Sequence, residues 1–202
     1  MKRLRIILWL LVGLAALAAG GLFLTRSHQS SQNVQGPDAI GLGIGGPFTL
    51  IGGDGHPFAS TRLNGKAHAI FFGFTHCPDV CPTTLARLVR LRRELASKDD
   101  AFTIVFITVD PERDGPAEVA SYARLFNAPV IGLTGSPAQI AQVKKQFGIF
   151  SQRVPDKSGG YSVDHSAAVL LFGKTGRFQS TIAPDEADSV ALDKLKRVTG
   201  NS

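Results

Sequence analysis

The chain is 202 residues long, 44% hydrophobic and 19% charged, with 22 Lys and Arg against 16 Asp and Glu for a formal charge of +6. This apolar content excludes a disordered chain, two Cys exclude a disulfide-dense mini-protein, and a lone initiator Met excludes a thioether metal site. The positive balance invites a nucleic-acid partner until the excess charge is located.

Most of that charge sits at one end. Residues 1–26 carry Lys2, Arg3, Arg5 and Arg26 and no acid, and the 18 basic and 16 acidic residues that remain leave only about +2. Ile6 to Leu24 is uncharged and overwhelmingly apolar. As a helix those residues span about 28 Å, close to the hydrocarbon thickness of a bilayer. Three basic residues precede the segment and one follows, an asymmetry that keeps the N-terminus cytoplasmic and sends the rest across. The expectation is a single-pass inner-membrane protein with an uncleaved anchor over 1–26 and a periplasmic, or otherwise exported, C-terminal domain. The competing reading is a signal peptide cleaved near Ala16, Leu17 and Ala18. Either way the domain is exported, and no nucleic-acid partner is expected.

Residues 27–47 are rich in Ser, Gln, Asn and Gly and read as a flexible tether. The folded domain is expected over 48–202. Phe48–Ile51 and the Gly-rich turn after it suggest a short hairpin. Ala67–Phe74 reads as a buried strand. Thr83–Ser97 places Leu85, Leu88, Leu91 and Leu95 at helical spacing. Phe102–Val109 is the clearest buried strand. A helix over 116–127 follows, with Pro116 suited to its first turn. Val130–Leu133 is a short strand, and Pro137–Phe147 a helix stopped by Gly148. Ala167–Phe172 and Arg177–Ile182 flank a Gly-Lys-Thr-Gly turn and read as a hairpin. Glu186–Val198 is a last helix. This order predicts an α/β domain with a mixed sheet covered on both sides.

Both cysteines lie between the Ala67–Phe74 strand and the next helix, in Gly73-Phe74-Thr75-His76-Cys77-Pro78-Asp79-Val80-Cys81-Pro82. A ligand site belongs at the carboxyl end of such a strand, and a helix N-terminus favours thiolate over thiol. If the segment winds about one helical turn, both sulfurs share a face. Four chemistries compete. A structural disulfide would close too short a loop to stabilise much. A thioredoxin-like redox pair has two intervening residues, not three. Structural zinc wants four ligands in tight clusters. Copper wants two thiolates and an imidazole, a composition that is available. Spacing alone leaves metal and redox chemistry level.

The stretch Phe72 to Pro82 resembles the signature of the Sco/SenC family, membrane-tethered copper-binding proteins of thioredoxin-like fold implicated in cytochrome c oxidase assembly. Ile107-Thr108-Val109-Asp110-Pro111-Glu112-Arg113-Asp114 resembles a second family motif, and Tyr161-Ser162-Val163-Asp164-His165-Ser166 a third. The likeness runs over roughly residues 45–198. It implies copper, as Cu(I) or Cu(II), held by Cys77, Cys81 and His165, with His165 brought across the site from just before the Ala167–Phe172 strand. Asp79 and Asp164 are read as neighbours that orient ligands or tune charge. The implied partners are the copper-site subunit of a respiratory oxidase, and other copper chaperones or thioredoxin-like reductants. The alternative on the same scaffold is an exported thiol–disulfide oxidoreductase or thiol peroxidase using Cys77 and Cys81.

Other candidates have plainer readings. His28 lies in the tether; His56 and His68 lie near strand edges; His76 adjoins Cys77 and has a route to its thiol. Asp110 and Arg113 are expected to brace the loop beside the site. Arg87, Arg90, Arg92 and Arg93 are expected to be a solvated helix face, with docking to an acidic partner as the alternative.

Overall fold

The computed structural model describes residues 43–95, 102–156 and 159–200. The anchor expected over 1–26 and all but the last five residues of the 27–47 tether lie outside them. Among the described residues no helix is long and apolar enough to cross a membrane.

The elements follow in the order β1 (Thr49–Gly52), β2 (Pro57–Ala59), a 3-10 turn (Ser60–Leu63), β3 (His68–Gly73), α1 (Val80–Leu95), β4 (Thr103–Thr108), α2 (Pro116–Arg124), β5 (Val130–Thr134), α3 (Pro137–Phe147), β6 (Ser151–Pro155), β7 (Tyr161–His165), β8 (Val169–Phe172), β9 (Phe178–Ile182) and α4 (Asp188–Thr199). Seven strands form one mixed sheet in the order β2-β1-β5-β4-β3-β8-β9. The β3–β4 and β4–β5 pairs are parallel, as helical crossovers require, and the outer pairs are antiparallel. This is the expected α/β, thioredoxin-like architecture.

The centre of the sheet is apolar on both faces. Every residue of β3 is buried, and so is all of β4 after Thr103. Neighbours along a strand point to opposite sides. Phe72 meets Phe147 of α3, whose ring also packs on Phe48 and Phe172. Phe71, on the opposite face, meets its register partner Phe106, which packs on Tyr122 of α2. Helices therefore cover both faces, as expected. The ends of α3 are chemically specified: Ser136 and Gln139 form a capping box, and Gly148 takes the left-handed conformation (φ 66°) that stops it.

Two departures bear on the site. Helix α1 starts three residues before the expected Thr83, because Pro82 is compatible with a first turn where its missing N–H costs nothing. The amide of Thr83 donates to the Asp79 carbonyl, closing that turn (3.1 Å). The second departure is a pair of strands absent from the expected pattern. β6 and β7 form a separate antiparallel ribbon, pairing Ser151 with His165 and Pro155 with Tyr161. The expected helix at 116–127 ends its α-helical part at Arg124.

Candidate metal centre

Cys77 precedes α1 and Cys81 lies in its first turn; both are free thiols. Cys81 is wholly buried and Cys77 partly so. The Cys81 amide donates to Cys77 Sγ at 3.4 Å, so the loop turns one sulfur over the start of the helix. The seat of Cys81 is provided by Gly73 at the end of β3. A Cβ added at Gly73 would lie 2.9 Å from Cys81 Sγ and 3.0 Å from Phe106. Only a residue without a side chain lets the sulfur rest on the strand. In the sequence this glycine read as one more residue of an apolar run.

The third motif meets the second cysteine. His165 closes β7, and its Nε2 lies 3.5 Å from Cys81 Sγ across 84 residues of sequence. Its position at the end of a ribbon strand, rather than in a loop before β8, corrects the expected location. The ring sits edge-on to Phe71 (6.1 Å) and Phe74 (5.9 Å). Nδ1 lies 2.9 Å from the Ser166 carbonyl. A carbonyl only accepts, so Nδ1 carries the hydrogen and Nε2 presents a lone pair toward the sulfur.

Burial pushes the Cys81 thiol well above its ordinary pKa; the Phe74 backbone hydrogen bond opposes this, and the Cys77 side chain and Asp114 charge reinforce it. The thiolate expected at the helix N-terminus is therefore disfavoured at Cys81, with burial the largest cause.

A buried carboxylate ties the cysteine loop to the sheet. Asp114 is fully buried; one oxygen accepts from the Thr75 amide (2.9 Å) and the Thr108 hydroxyl (2.6 Å), the other from the Thr75 hydroxyl (2.6 Å). Its carbonyl accepts from the Thr134 hydroxyl at 2.6 Å. His76 is half exposed and turns toward Thr75 Oγ1 (3.1 Å) and Asp114 Oδ1 (3.5 Å). Asp110, equally buried, accepts from Arg113 Nε (2.5 Å) and the Tyr161 hydroxyl (2.9 Å). Arg113 stacks over the Tyr161 ring at 3.8 Å and donates to the Tyr161 carbonyl at 3.0 Å. The second motif thus braces both halves of the site, as expected for Asp110 and Arg113. Asp114, Thr75, Tyr161 and Gly73 were not singled out in sequence; for Asp114 the usable signal was its place in the second motif.

The remaining candidates fall elsewhere. Asp79 is exposed, and its carboxylate accepts from Thr83 Oγ1 at 3.3 Å, which serves the helix end. Asp164 is exposed and pairs with Gln152 on the ribbon face opposite His165, since alternate residues of a strand point apart. His68 is buried in β3, stacked on Phe172, and its Nδ1 lies 2.9 Å from the Lys66 carbonyl. His56 is exposed. The arginines of α1 are engaged within the fold. Arg87 and Arg90 converge on Asp188, Arg92 donates to the Phe102 carbonyl, and Arg93 to that of Asn127.

Cys77, Cys81 and His165 supply two sulfurs and one bare imidazole nitrogen near the carboxyl end of β3, an interior strand of the sheet. Such donors suit a soft ion such as Cu(I) and are the wrong set for Mg2+ or Ca2+. Among the described residues no three His, Cys, Asp or Glu side chains are already gathered into a finished site. The Cys81–His165 pair is in contact, and Cys77 stands one turn away.

Comparison with known proteins finds the SCO1/SenC family model matching residues 39–200. The chain is 38% identical over 145 residues to the mitochondrial SCO1 homolog 1 of Arabidopsis thaliana, a match covering 71% of this chain and 43% of that protein. It is 37% identical over 155 residues to a SCO2-like protein of Rickettsia prowazekii, covering 76% of each. Among solved structures it resembles Bradyrhizobium japonicum ScoI with copper bound, at 41% identity and a TM-score of 0.69, covering 77% of this chain and 99% of that one.

Proposed function

The chain belongs to the SCO1/SenC family, and from that premise we propose that it binds copper through Cys77, Cys81 and His165 and passes it to the copper-site subunit of a respiratory oxidase. The single observation that carries this reading is the Cys81–His165 contact, with Nδ1 tied off and Nε2 aimed at the sulfur (3.5 Å). The copper-bound relative adds support, because it shares 41% identity over nearly its whole length.

Copper is cargo here, and the site suits a cargo. Binding must remove the proton that burial holds on Cys81, so uptake is coupled to proton release. Cys77 is the partly exposed member of the donor set, and its sulfur already lies 3.4 Å from the Cys81 amide. A partner offering its own thiolates can replace Cys77 first and the buried pair afterwards. The basic apolar N-terminal segment would hold this domain at the outer face of the inner membrane, where such a subunit presents its metal site.

The test is a titration of the reduced, detergent-solubilised chain with Cu(I) against a competing chelator. One tightly held equivalent is expected. His165→Ala should weaken it by more than the ~10–100-fold that loss of a supporting outer hydrogen bond costs. Absence of a tight equivalent, or unchanged affinity in His165→Ala, refutes the reading.

The exposure difference between the cysteines favours a second activity on the same residues. The Cys77 thiolate would attack a partner disulfide, giving a mixed disulfide and releasing one partner thiolate. Cys81 sulfur, losing its proton, would then displace the other partner thiol and leave Cys77–Cys81 oxidised. Cys81→Ser should trap the mixed disulfide and Cys77→Ser should not.

A further inference from the structure

The ribbon contains an irregularity beside His165 that the copper reading does not by itself explain. In an antiparallel ladder, every second cross-strand pair exchanges both backbone hydrogen bonds. At the turn end the Asp156 amide donates to the Gly160 carbonyl (3.0 Å) while the Gly160 amide returns to the Asp156 carboxylate (2.9 Å), and stepping by two along each strand leads through 154/162 and 152/164 to Phe150 and Ser166. The Ser166 amide duly donates to the Phe150 carbonyl at 3.0 Å. The return bond is different. The Phe150 amide donates to the Ser166 hydroxyl at 3.0 Å, not to the Ser166 carbonyl. That carbonyl lies instead 2.9 Å from His165 Nδ1.

We propose that Ser166 is a positioning residue for the metal ligand: its hydroxyl takes over the ladder bond of its own carbonyl and so frees that carbonyl to hold His165 as the Nδ1–H tautomer. The proposal rests on the copper reading for its purpose, but not for its geometry. A histidine in water prefers its hydrogen on Nε2, the nitrogen that faces Cys81 here. A hydrogen there would block that nitrogen as a donor to a soft metal. The neighbours of the ring are Phe71 and Phe74, which offer only edges and faces, and Cys81, which touches Nε2. A protonated Cys81 can offer Nε2 only a weak S–H donor, so the Ser166 carbonyl is the stronger of the two contacts that favour this tautomer. Without the hydroxyl, the Phe150 amide would compete for the same carbonyl, since a backbone donor seeks a partner.

The tautomer is measurable without metal. In the 15N-histidine-labelled, detergent-solubilised full chain, kept reduced and metal-free, long-range 1H–15N correlation distinguishes Nδ1–H from Nε2–H at His165. Wild type is expected to be Nδ1–H. Ser166→Ala is expected to populate Nε2–H to a clear extent and to bind Cu(I) about tenfold more weakly. Ser166→Thr keeps the hydroxyl and should restore both readings. Nε2–H in the wild type overturns the proposal with no variant needed. So does a Ser166→Ala protein that stays fully Nδ1–H, or one whose tautomer shifts while its copper affinity does not. If the wild type holds no copper, the function proposed above falls, and the metal-free spectra still decide the role of Ser166.

Discussion

β3 and β4 pair in register from His68 and Thr103 to Gly73 and Thr108, and every residue of β3 is buried. In β6 and β7, which pair over five residues each, only Val163 is buried. The first region is held by packed rings, and it carries the thiols through Gly73 and the start of α1. The second carries the imidazole and is held by polar ties. Tyr161 sits between the guanidinium groups of Arg113 (3.8 Å) and Arg153 (4.7 Å) with its hydroxyl on Asp110. Arg153 also pairs with Glu112 at 2.6 Å, and Lys144 donates to Ser151 at 2.6 Å. A region without a core of its own opens locally at lower cost than the sheet does. The proposed metal donors are therefore split between a rigid half and a half able to move, which fits the proposed release of copper to a partner.

The largest effect should come from the rigid half. Phe106 is fully buried between Phe71 and Tyr122. Phe106→Ala should cost about 3–5 kcal/mol in urea unfolding, with transfer and cavity terms adding. A loss below about 1 kcal/mol would mean that the sheet is not the stiff partner in this comparison. Asp114→Asn comes next, because Asp114 joins the cysteine loop to β4. Its carboxylate accepts three hydrogen bonds while buried, and an amide group has one acceptor oxygen. About 1–3 kcal/mol should be lost, with the Thr75 amide exchanging faster. A drop in stability with Thr75 protection intact would place the cost outside the loop.

The rigid half was largely legible in the sequence, and the reason is physical. Strands buried on both faces read as continuous apolar runs, and Phe102–Val109 and Ala67–Phe74 are such runs. The cysteine segment was legible because its chemistry is contiguous. The ribbon was not. Ser-Gln-Arg-Val-Pro and Tyr-Ser-Val-Asp-His bury almost nothing, so no apolar period marks them. His165 was therefore placed only through family resemblance, and in a loop. The same blindness to register put Asp164 beside the ligands, although one step along a strand turns a side chain to the other face. The preference expected for thiolate at the helix end weighed a field that sequence reveals against a burial that it does not.

Acid should test the sheet at one point. Burial holds the pKa of His68 below its ordinary value, with the hydrogen bond to Lys66 opposing, so the folded state resists a proton that the unfolded chain accepts. Its contribution is intact above about pH 6.5, the unfolded value, and is lost as pH falls from there toward the lowered folded value. One proton limits the slope to about 1.4 kcal/mol per pH unit. His68→Gln should flatten the fall in unfolding free energy between pH 7 and 5. An unchanged slope would assign it to other groups.

The smallest global effect is expected where the functional consequence is most selective. Burial, then the hydrogen bond to Asp110 and that residue's charge, raise the pKa of Tyr161, so its hydroxyl stays a donor through neutral pH. Tyr161→Phe keeps the ring between the two arginines and removes only that donor. About 0.5–1.5 kcal/mol should be lost. The loss should fall on the ribbon: its amides should exchange faster with deuterium while those of β3 and β4 keep their protection. Arg153 and Glu112 are half exposed, so raising salt should speed ribbon exchange further in the variant. If β3 loses protection in step with β7, ribbon and sheet open as one unit, and the imidazole is held as firmly as the thiols.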